Sequence, residues 1–343
     1  MPDIIIKAKW DNETNKWNDN PNEKDYGRSF AISNLKPNTT KNDINYIFFS
    51  PGERVEDHSK DHKTLSLKEN RMDRIIEHYD KKEGNYSINM LFMDADAPIK
   101  EDAKLFAKII DKLCRDKDTK SVTLVGFSKC GVMNFYVPKF FHRRKTYKKT
   151  NMINVAAPYE GTILASPKFL WNELTTKLKQ KLHSKKLTEI VVNKLKKVHH
   201  NMSSNSHMDY DIAIQDGVDE EQSKLYDRSL ISNVFKKDNV RAIKKLRTFR
   251  NIVTGIDKKT WKECLKERNK DGLLLCLINR LLMNHESDGF VNTKSQEKAG
   301  TVLNQENIRM NSSHHHITSS KRMTEELLYV IDETIEKGYQ KRI

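Results

Sequence analysis

Ser128 stands in Gly126-Phe127-Ser128-Lys129-Cys130-Gly131, reached directly from the apolar run Ser121-Val-Thr-Leu-Val125. A short apolar run that ends in small residues predicts a buried strand. A strand that turns sharply into a helix with serine at its apex lifts the hydroxyl clear of both elements, where it can attack an electrophile. Gly126 gives the chain room to pass beneath the turn, and Gly131 lets the helix lie close to the strand. Cys130 occupies the place where a G-x-S-x-G pattern has its second glycine. Only the apex side chain of such a turn faces a substrate, so Cys130 is read as packed beneath Ser128 and not as the nucleophile.

A serine hydroxyl is inert at its own pKa; it needs a base, and the base needs an acid to orient it. Two later segments offer them. Ser287-Asp288-Gly289-Phe290-Val291 places a carboxylate in a tight turn. Asn311-Ser-Ser-His314-His315-His316-Ile317 places imidazole just ahead of a helical pattern running through Leu327, Leu328 and Ile331. Asp257 and Glu286 compete with Asp288 for the acid, and His315 and His316 stand in reserve behind His314. The order Ser, Asp, His differs from the orders of the chymotrypsin and subtilisin types. Metal chemistry is not expected. The three consecutive imidazoles point in divergent directions, and His58 and His62 lack the intervening glutamate of H-E-x-x-H. Asp94 and Asp96 read as strand-end caps, and no glycine-rich phosphate loop is present, so no cofactor is expected either.

These segments resemble the α/β-hydrolase superfamily of the lipase and esterase type, similar in pattern to lecithin:cholesterol acyltransferase-like and glycosylphosphatidylinositol inositol-deacylase-like lipases. Four islands between residues 121 and 317 carry the resemblance: Gly126-x-Ser128, Asn154-Val-Ala-Ala-Pro158-Tyr-Glu-Gly161-Thr162, Ser287-Asp288-Gly-Phe-Val291 with Ser295, and His314-x-x-Ile317. The resemblance implies an α/β fold with a mostly parallel central sheet and a helical lid. It implies a serine ester hydrolase, lipase- or phospholipase-like, working through an acyl-serine, with Ser128 as nucleophile, Asp288 as acid and His314 as base. The same residues would serve an acyltransferase, and the departures from the pattern leave room for a non-catalytic lipid- or protein-binding relative. The oxyanion hole implied by the family takes one backbone N–H from Lys129. The other comes from the loop Ser50-Pro51-Gly52-Glu53, where Pro51 has no N–H and Glu53 is preferred over Gly52. The implied partner is an ester or lipid substrate.

The elements needed to hold these residues are visible as apolar blocks. Ile44–Phe49, Ile88–Met93, Ser121–Val125, Met152–Val155 and Phe249–Val253 read as strands buried on both faces, with helical periodicity between them, as over Asp102–Cys114. Residues 11–40 read as an irregular or edge-hairpin lead-in. The 343 residues divide into an α/β core over 1–164 and 248–343 and a lysine-rich helical cap over 165–247, the cap supplying an amphipathic pattern from Leu170 to Leu195. The net charge of +15 favours an anionic surface such as a membrane; no nucleic-acid-binding motif accompanies it. Four scattered cysteines suit reduced thiols in a cytoplasm-like compartment, with a Cys264–Cys276 disulfide as the one alternative. Ile4-Ile5-Ile6 is too short for a signal-peptide core, and no apolar stretch approaches a membrane span, so a soluble protein is expected, cytoplasmic or exported without a cleavable signal peptide, and peripheral to membranes at most.

Overall fold

The computed structural model describes residues 3–11, 14, 16–18, 30–36, 42–51, 72–93, 97–161, 234–256, 287–289, 291–314 and 320–340, with isolated helical residues between 176 and 193 and at 262. Nine strands form one sheet: β1 (Asp3–Asp11), β2 (Lys16–Asn18), β3 (Phe30–Lys36), β4 (Ile44–Ser50), β5 (Tyr86–Phe92), β6 (Thr119–Phe127), β7 (Thr150–Val155), β8 (Thr248–Gly255) and β9 (Ile308–Asn311). Their spatial order is β2-β1-β3-β5-β4-β6-β7-β8-β9. From β5 to β9 every neighbouring pair is parallel, whereas β2, β1 and β3 join antiparallel at one end.

The apolar blocks became strands because both faces of this sheet are covered. All seven residues of β5 and all six of β7 are buried. Alternation assigns each side chain to a layer: Phe48, Val122, Leu124 and Met152 enter one core cluster, and Ile47, Phe49, Val125 and Ile153 the other. On the first face lie α2 (Ile99–Arg115), α3 (Lys129–Tyr136) with the 3-10 turn Val137–Phe140, α4 (Arg144–Lys149), α5 (Lys237–Ile243) and α6 (Thr293–Leu303). Ala103, Phe106 and Ile110 of α2, Met133 and Phe135 of α3, Ile243 of α5 and Leu303 of α6 fill that cluster. On the second face lie α1 (Asp73–Lys81) and α7 (Lys321–Gln340), through Ile75, Tyr79, Met323, Leu327 and Ile331. They are tied directly, Tyr79 Oη donating to Asp332 at 3.1 Å and Lys82 pairing with it at 2.6 Å.

Three strands were not evident from the sequence, β1 among them. The stretch read as an irregular or edge-hairpin lead-in does contain the edge strand β2 paired with β1, but it also contains β3, an interior strand between β1 and β5. Its residues Phe-Ala-Ile-Ser-Asn-Leu-Lys mix polar and apolar types because the strand goes from buried to half-buried along its length. β9 has only four residues, two of them exposed, and its alternation Ile-Arg-Met-Asn is too short to stand out. Helix α5 falls within the 165–247 segment and packs into the layer flanking the sheet, with Val234 and Ile243 buried.

The strand order carries a functional consequence. From β4 the chain crosses to β5 on one side, then returns past β4 to β6 on the other. Where successive connections leave in opposite directions, a crevice opens at the carboxyl ends of the two strands, the usual ligand position in an open α/β sheet. Those ends are Ser50 and Phe127, and Ser50 pairs with Gly126. The glycines are required by close approach. A Cβ on Gly126 would lie 2.4 Å from Asn134 Nδ2 and 2.7 Å from the Cys130 carbonyl, and one on Gly131 would lie 2.6 Å from Ala157 Cβ. Gly126→Ala and Gly131→Ala are each expected to cost about 1–3 kcal/mol by overpacking; urea unfolding midpoints at unchanged m-value check this.

Candidate active site

Ser128 lies between the last residue of β6 and the first of α3, with φ 50° and ψ −125°. A non-glycine residue in such a region carries about 1–3 kcal/mol of strain and persists only where its surroundings hold it. Here they do. The Ser128 N–H donates to the Val155 carbonyl at 2.9 Å, extending the β6–β7 ladder into the turn, and the Gly131 N–H donates to the Ser128 carbonyl at 2.9 Å. The next strand repeats the device: Ala156, just past β7, has φ 53°, and its N–H donates to the Ile252 carbonyl at 3.0 Å. Lys129 is the first residue of α3, with its backbone amide at the positive end of the helix. Cys130 is fully buried, and its thiol donates to the Pro51 carbonyl at 2.9 Å, joining α3 to the exit of β4.

Asp288 and His314 meet at the same edge of the sheet. The turn that carries Asp288 follows β8 and precedes α6. It is closed by the Ser287–Asn292 bridge, by Asp288 N–H to Val291 carbonyl at 3.3 Å, and by Gly289 at φ 90°. His314 follows β9, and its N–H donates to the Asp288 carbonyl at 3.0 Å, so main chain as well as side chain joins the two loops. His314 Nδ1 lies 2.8 Å from Asp288 Oδ2, the side chains being 7% and 0% exposed.

A fully buried carboxylate must be supplied with donors. Asp288 Oδ2 accepts from Thr254 Oγ1 at 2.7 Å and Gln296 Nε2 at 3.2 Å besides the imidazole, and Oδ1 accepts from the Val291 N–H at 2.8 Å. Burial alone would raise the Asp288 pKa. The charge and hydrogen bond of His314, with the Val291 amide and the Thr254 hydroxyl, outweigh it and hold the carboxyl below its ordinary value. Neither Thr254 nor Gln296 was singled out from sequence. Both are ordinary polar residues at the end of a strand and the start of a helix, and only the return of α6 along β8 brings them to the acid.

Ser295, part of the sequence pattern around Asp288, is buried, accepts from the Glu160 N–H at 2.9 Å and donates to the Gly161 carbonyl at 3.1 Å. It fastens α6 to the turn after β7. Glu53 and Gly52, His315 and His316, Asp257 and Glu286, His58 and His62, Asp94 and Asp96, Cys264 and Cys276, and most of the 165–247 segment lie outside the described residues. Among the described residues no group of three His, Cys, Asp or Glu is placed to hold a metal ion, and no helix is long and apolar enough to cross a membrane.

No protein-family model matches the chain, and no curated protein matches it in sequence. Solved structures follow a similar course. A lipase of Bacillus licheniformis is 12% identical, with a TM-score of 0.46 over 86% of this chain and 94% of that one. A carboxylesterase structure from the thaumarchaeon Nitrososphaera gargenis is 8% identical, with a TM-score of 0.41 over 90% and 97%. Phospholipase PlaB of Legionella pneumophila is 11% identical, with a TM-score of 0.36 over 74% and 45%. The strand order and the strained serine turn carry the assignment. The fold is that of an α/β-hydrolase. Within that fold the C-terminal edge of the parallel strands holds Ser128, Asp288 and His314, from β6, the β8–α6 turn and the end of β9.

The lowered Asp288 pKa links this cluster to stability. A depressed carboxyl contributes stability that is present above its unfolded pKa, about 3.9, and lost as pH falls through the lower folded value. Thr254→Val removes a donor to the ionised form, so its cost, about 1.5–3 kcal/mol for a bond to a charged group, is expected to hold from neutral pH down to about 4 and to shrink below it. Urea denaturation of both proteins across that range measures the difference.

Proposed function

We propose that the protein is a serine hydrolase of carboxylic esters, lipase- or phospholipase-like, acting through an acyl-serine intermediate. The observation that carries this reading is the buried Asp288–His314 pair on the strand edge where the turn of Ser128 is held in a strained conformation. With Nδ1 turned to Asp288, Nε2 is the imidazole atom that serves the serine in this reading. Ser128 Oγ attacks the ester carbonyl while His314 Nε2 takes its proton. The backbone N–H groups of Lys129 and Glu53 receive the developing oxyanion, a contribution that is commonly the largest single one in acyl transfer. Collapse of the tetrahedral intermediate expels the alcohol, which takes the proton from His314, and leaves the acyl group on Ser128. Water then repeats the sequence and releases the acid. An alcohol in place of water would make the same residues an acyltransferase. Throughout, Asp288 holds the imidazole tautomer and balances the imidazolium charge. The part of the 165–247 segment ahead of α5 would form the cap over this edge.

Treatment with a fluorophosphonate probe tests the reading. Wild-type protein is expected to label at Ser128, and Ser128→Ala not at all. His314→Gln should label more slowly by about 10²–10⁴-fold, the usual contribution of a general base. Folded wild-type protein that never labels at Ser128 would leave the non-catalytic binding protein as the better account.

The partner part of the reading is an anionic membrane surface. Its support lies where the described charges fall. Arg143, Arg144, Lys145 and Lys148, around α4, and Lys244 and Lys245, after α5, are all exposed just ahead of β7 and β8. They therefore crowd the edge of the sheet opposite Ser128. On the other face, α7 pairs its acids with cations, as in Arg322–Glu326 and Lys337–Glu333. Juxtamembrane cations contribute about 1 kcal/mol each near anionic lipid. Co-sedimentation with vesicles containing phosphatidylserine is expected for wild type and should weaken markedly on replacing Arg143, Arg144 and Lys148 with glutamate; equal binding to neutral vesicles would remove the electrostatic basis.

A further inference from the structure

We propose that Gln296 is a positioning residue for the acid: its carboxamide aims the Asp288 carboxylate at His314 and keeps it in its ionised form. The proposal rests on the hydrolase reading for its bearing on catalysis, and on the geometry of one side chain for its substance.

Gln296 lies in the first turn of α6 and is completely buried. Its amide has one workable orientation. Oε1 accepts from the Thr254 N–H at 2.7 Å, which obliges the NH2 group to face the other way. There Nε2 meets three oxygens: Asp288 Oδ2 at 3.2 Å, the Val291 carbonyl at 3.1 Å and the Thr254 carbonyl at 3.2 Å. A flipped amide would set NH2 against the Thr254 N–H and its oxygen against a carboxylate, leaving buried groups unsatisfied on both sides. The side chain is thereby bolted to the end of β8 and to the acid turn at once.

The oxygen it reaches is the one His314 uses. Asp288 Oδ2 lies within 2.8 Å of His314 Nδ1, within 2.7 Å of Thr254 Oγ1 and within 3.2 Å of Gln296 Nε2. Thr254 itself is held by Gln296 through the main-chain contacts just given. Removing the carboxamide therefore loosens two of the donors to Oδ2, not one. A carboxylate that has lost donors becomes the more basic partner and stabilises a neighbouring imidazolium more strongly. The base would then stay protonated to a higher pH.

This gives an experiment that a merely structural role would not satisfy. Gln296→Met keeps the length of the side chain and removes both hydrogen-bonding functions. Gln296→Glu keeps the shape and the acceptor for the Thr254 N–H, and its carboxyl must share one proton with Asp288, like charges so close being unable to ionise together. The readouts are the pH dependence of fluorophosphonate labelling and the titration of the His314 imidazole, followed by NMR in [15N]histidine-labelled protein and assigned with His314→Gln. In Gln296→Met the imidazole titration and the acid limb of labelling are expected to move up by about one pH unit. In Gln296→Glu labelling is expected to approach wild type at low pH and to fall as the shared proton leaves, giving an alkaline limb absent from wild type. Ser295→Ala, the adjacent buried hydroxyl bonded elsewhere, is expected to leave both pH dependences in place.

Wild-type pH behaviour of His314 in a folded Gln296→Met and a folded Gln296→Glu would overturn the proposal. If Gln296→Met does not fold, the alkaline limb of Gln296→Glu, or its absence, decides. The imidazole titration needs no turnover. A shift there with no labelling of Ser128 in wild type would uphold Gln296 as the positioning residue of the pair while sinking the hydrolase reading; labelling of Ser128 with an unmoved imidazole would do the reverse.

Discussion

A carboxylate sealed from water must have its lone pairs taken by donors, and at Asp288 those donors come from four separate elements of the chain. Thr254 is at the end of β8, Val291 is in the turn, Gln296 opens α6 and His314 follows β9. Satisfying one side chain therefore fixes the relative positions of a strand, a turn, a helix and a loop. The main chain adds to this, His314 N–H donating to the Asp288 carbonyl and Ser312 N–H to that of Gly255. Polar networks of this kind are costly if incomplete and specify a single arrangement when complete. The arrangement extends further inward. Asn251 Nδ2 donates to the Gln296 carbonyl at 2.8 Å and its Oδ1 accepts from Tyr159 Oη, which in turn accepts from Asn154. Asn154 pairs in register with Gly126 beside the serine turn. A buried polar line thus runs across three strands from the elbow to the acid.

The two ends of that line are built on opposite principles. At Asp288 every group is satisfied and conformations are ordinary. At Ser128 the backbone sits where a side chain is disfavoured, and the surrounding contacts hold it there. The hydrogen bonds from Ser128 and Gly131 and the close approach permitted by Gly126 and Gly131 pin the turn between a strand and a helix that cannot separate. Strain of this size is small beside the burial of β6 and α3 but would unwind an unsupported turn. Its effect is to set the hydroxyl at the tip of a rigid support; in the proposed hydrolase that would leave little ordering to be done when a substrate arrives.

How much of this was legible in the sequence follows from which constraints are local. The five apolar blocks were readable as strands because a parallel sheet buried on both faces leaves no room for polar alternation, and β4 to β8 appear where they were expected. Ser128, Asp288 and His314 could be picked out as candidates because glycine, aspartate and histidine at these spacings serve local turns, and the structure places all three at the carboxyl ends of the parallel strands. Gln296 and Thr254 were not, since nothing adjacent to them in the chain distinguishes a glutamine that orients a carboxylate from one that faces water. Long-range register brings them in, and single-sequence patterns carry no register. β3 and β9 escaped for a related reason: one is half polar and the other is four residues long, so each is a strand only because a neighbour offers its edge.

The departure of this chain from the usual serine-turn pattern is also explained by contact. A glycine two residues after the nucleophile serves to avoid collision where the helix passes its neighbours. Cys130 stands there without collision because its side chain fits against the exit of β4 and its thiol finds the Pro51 carbonyl. The proline that cannot donate an N–H to an oxyanion thus still contributes its carbonyl, and the loop that begins there is tethered to the helix that carries Lys129. The helix approach that a second glycine would permit is retained one residue later by Gly131 against Ala157. The two irregularities, cysteine for glycine and proline at the strand exit, are therefore one feature: each gives the other its partner, and together they join the exit of β4 to the helix that follows Ser128.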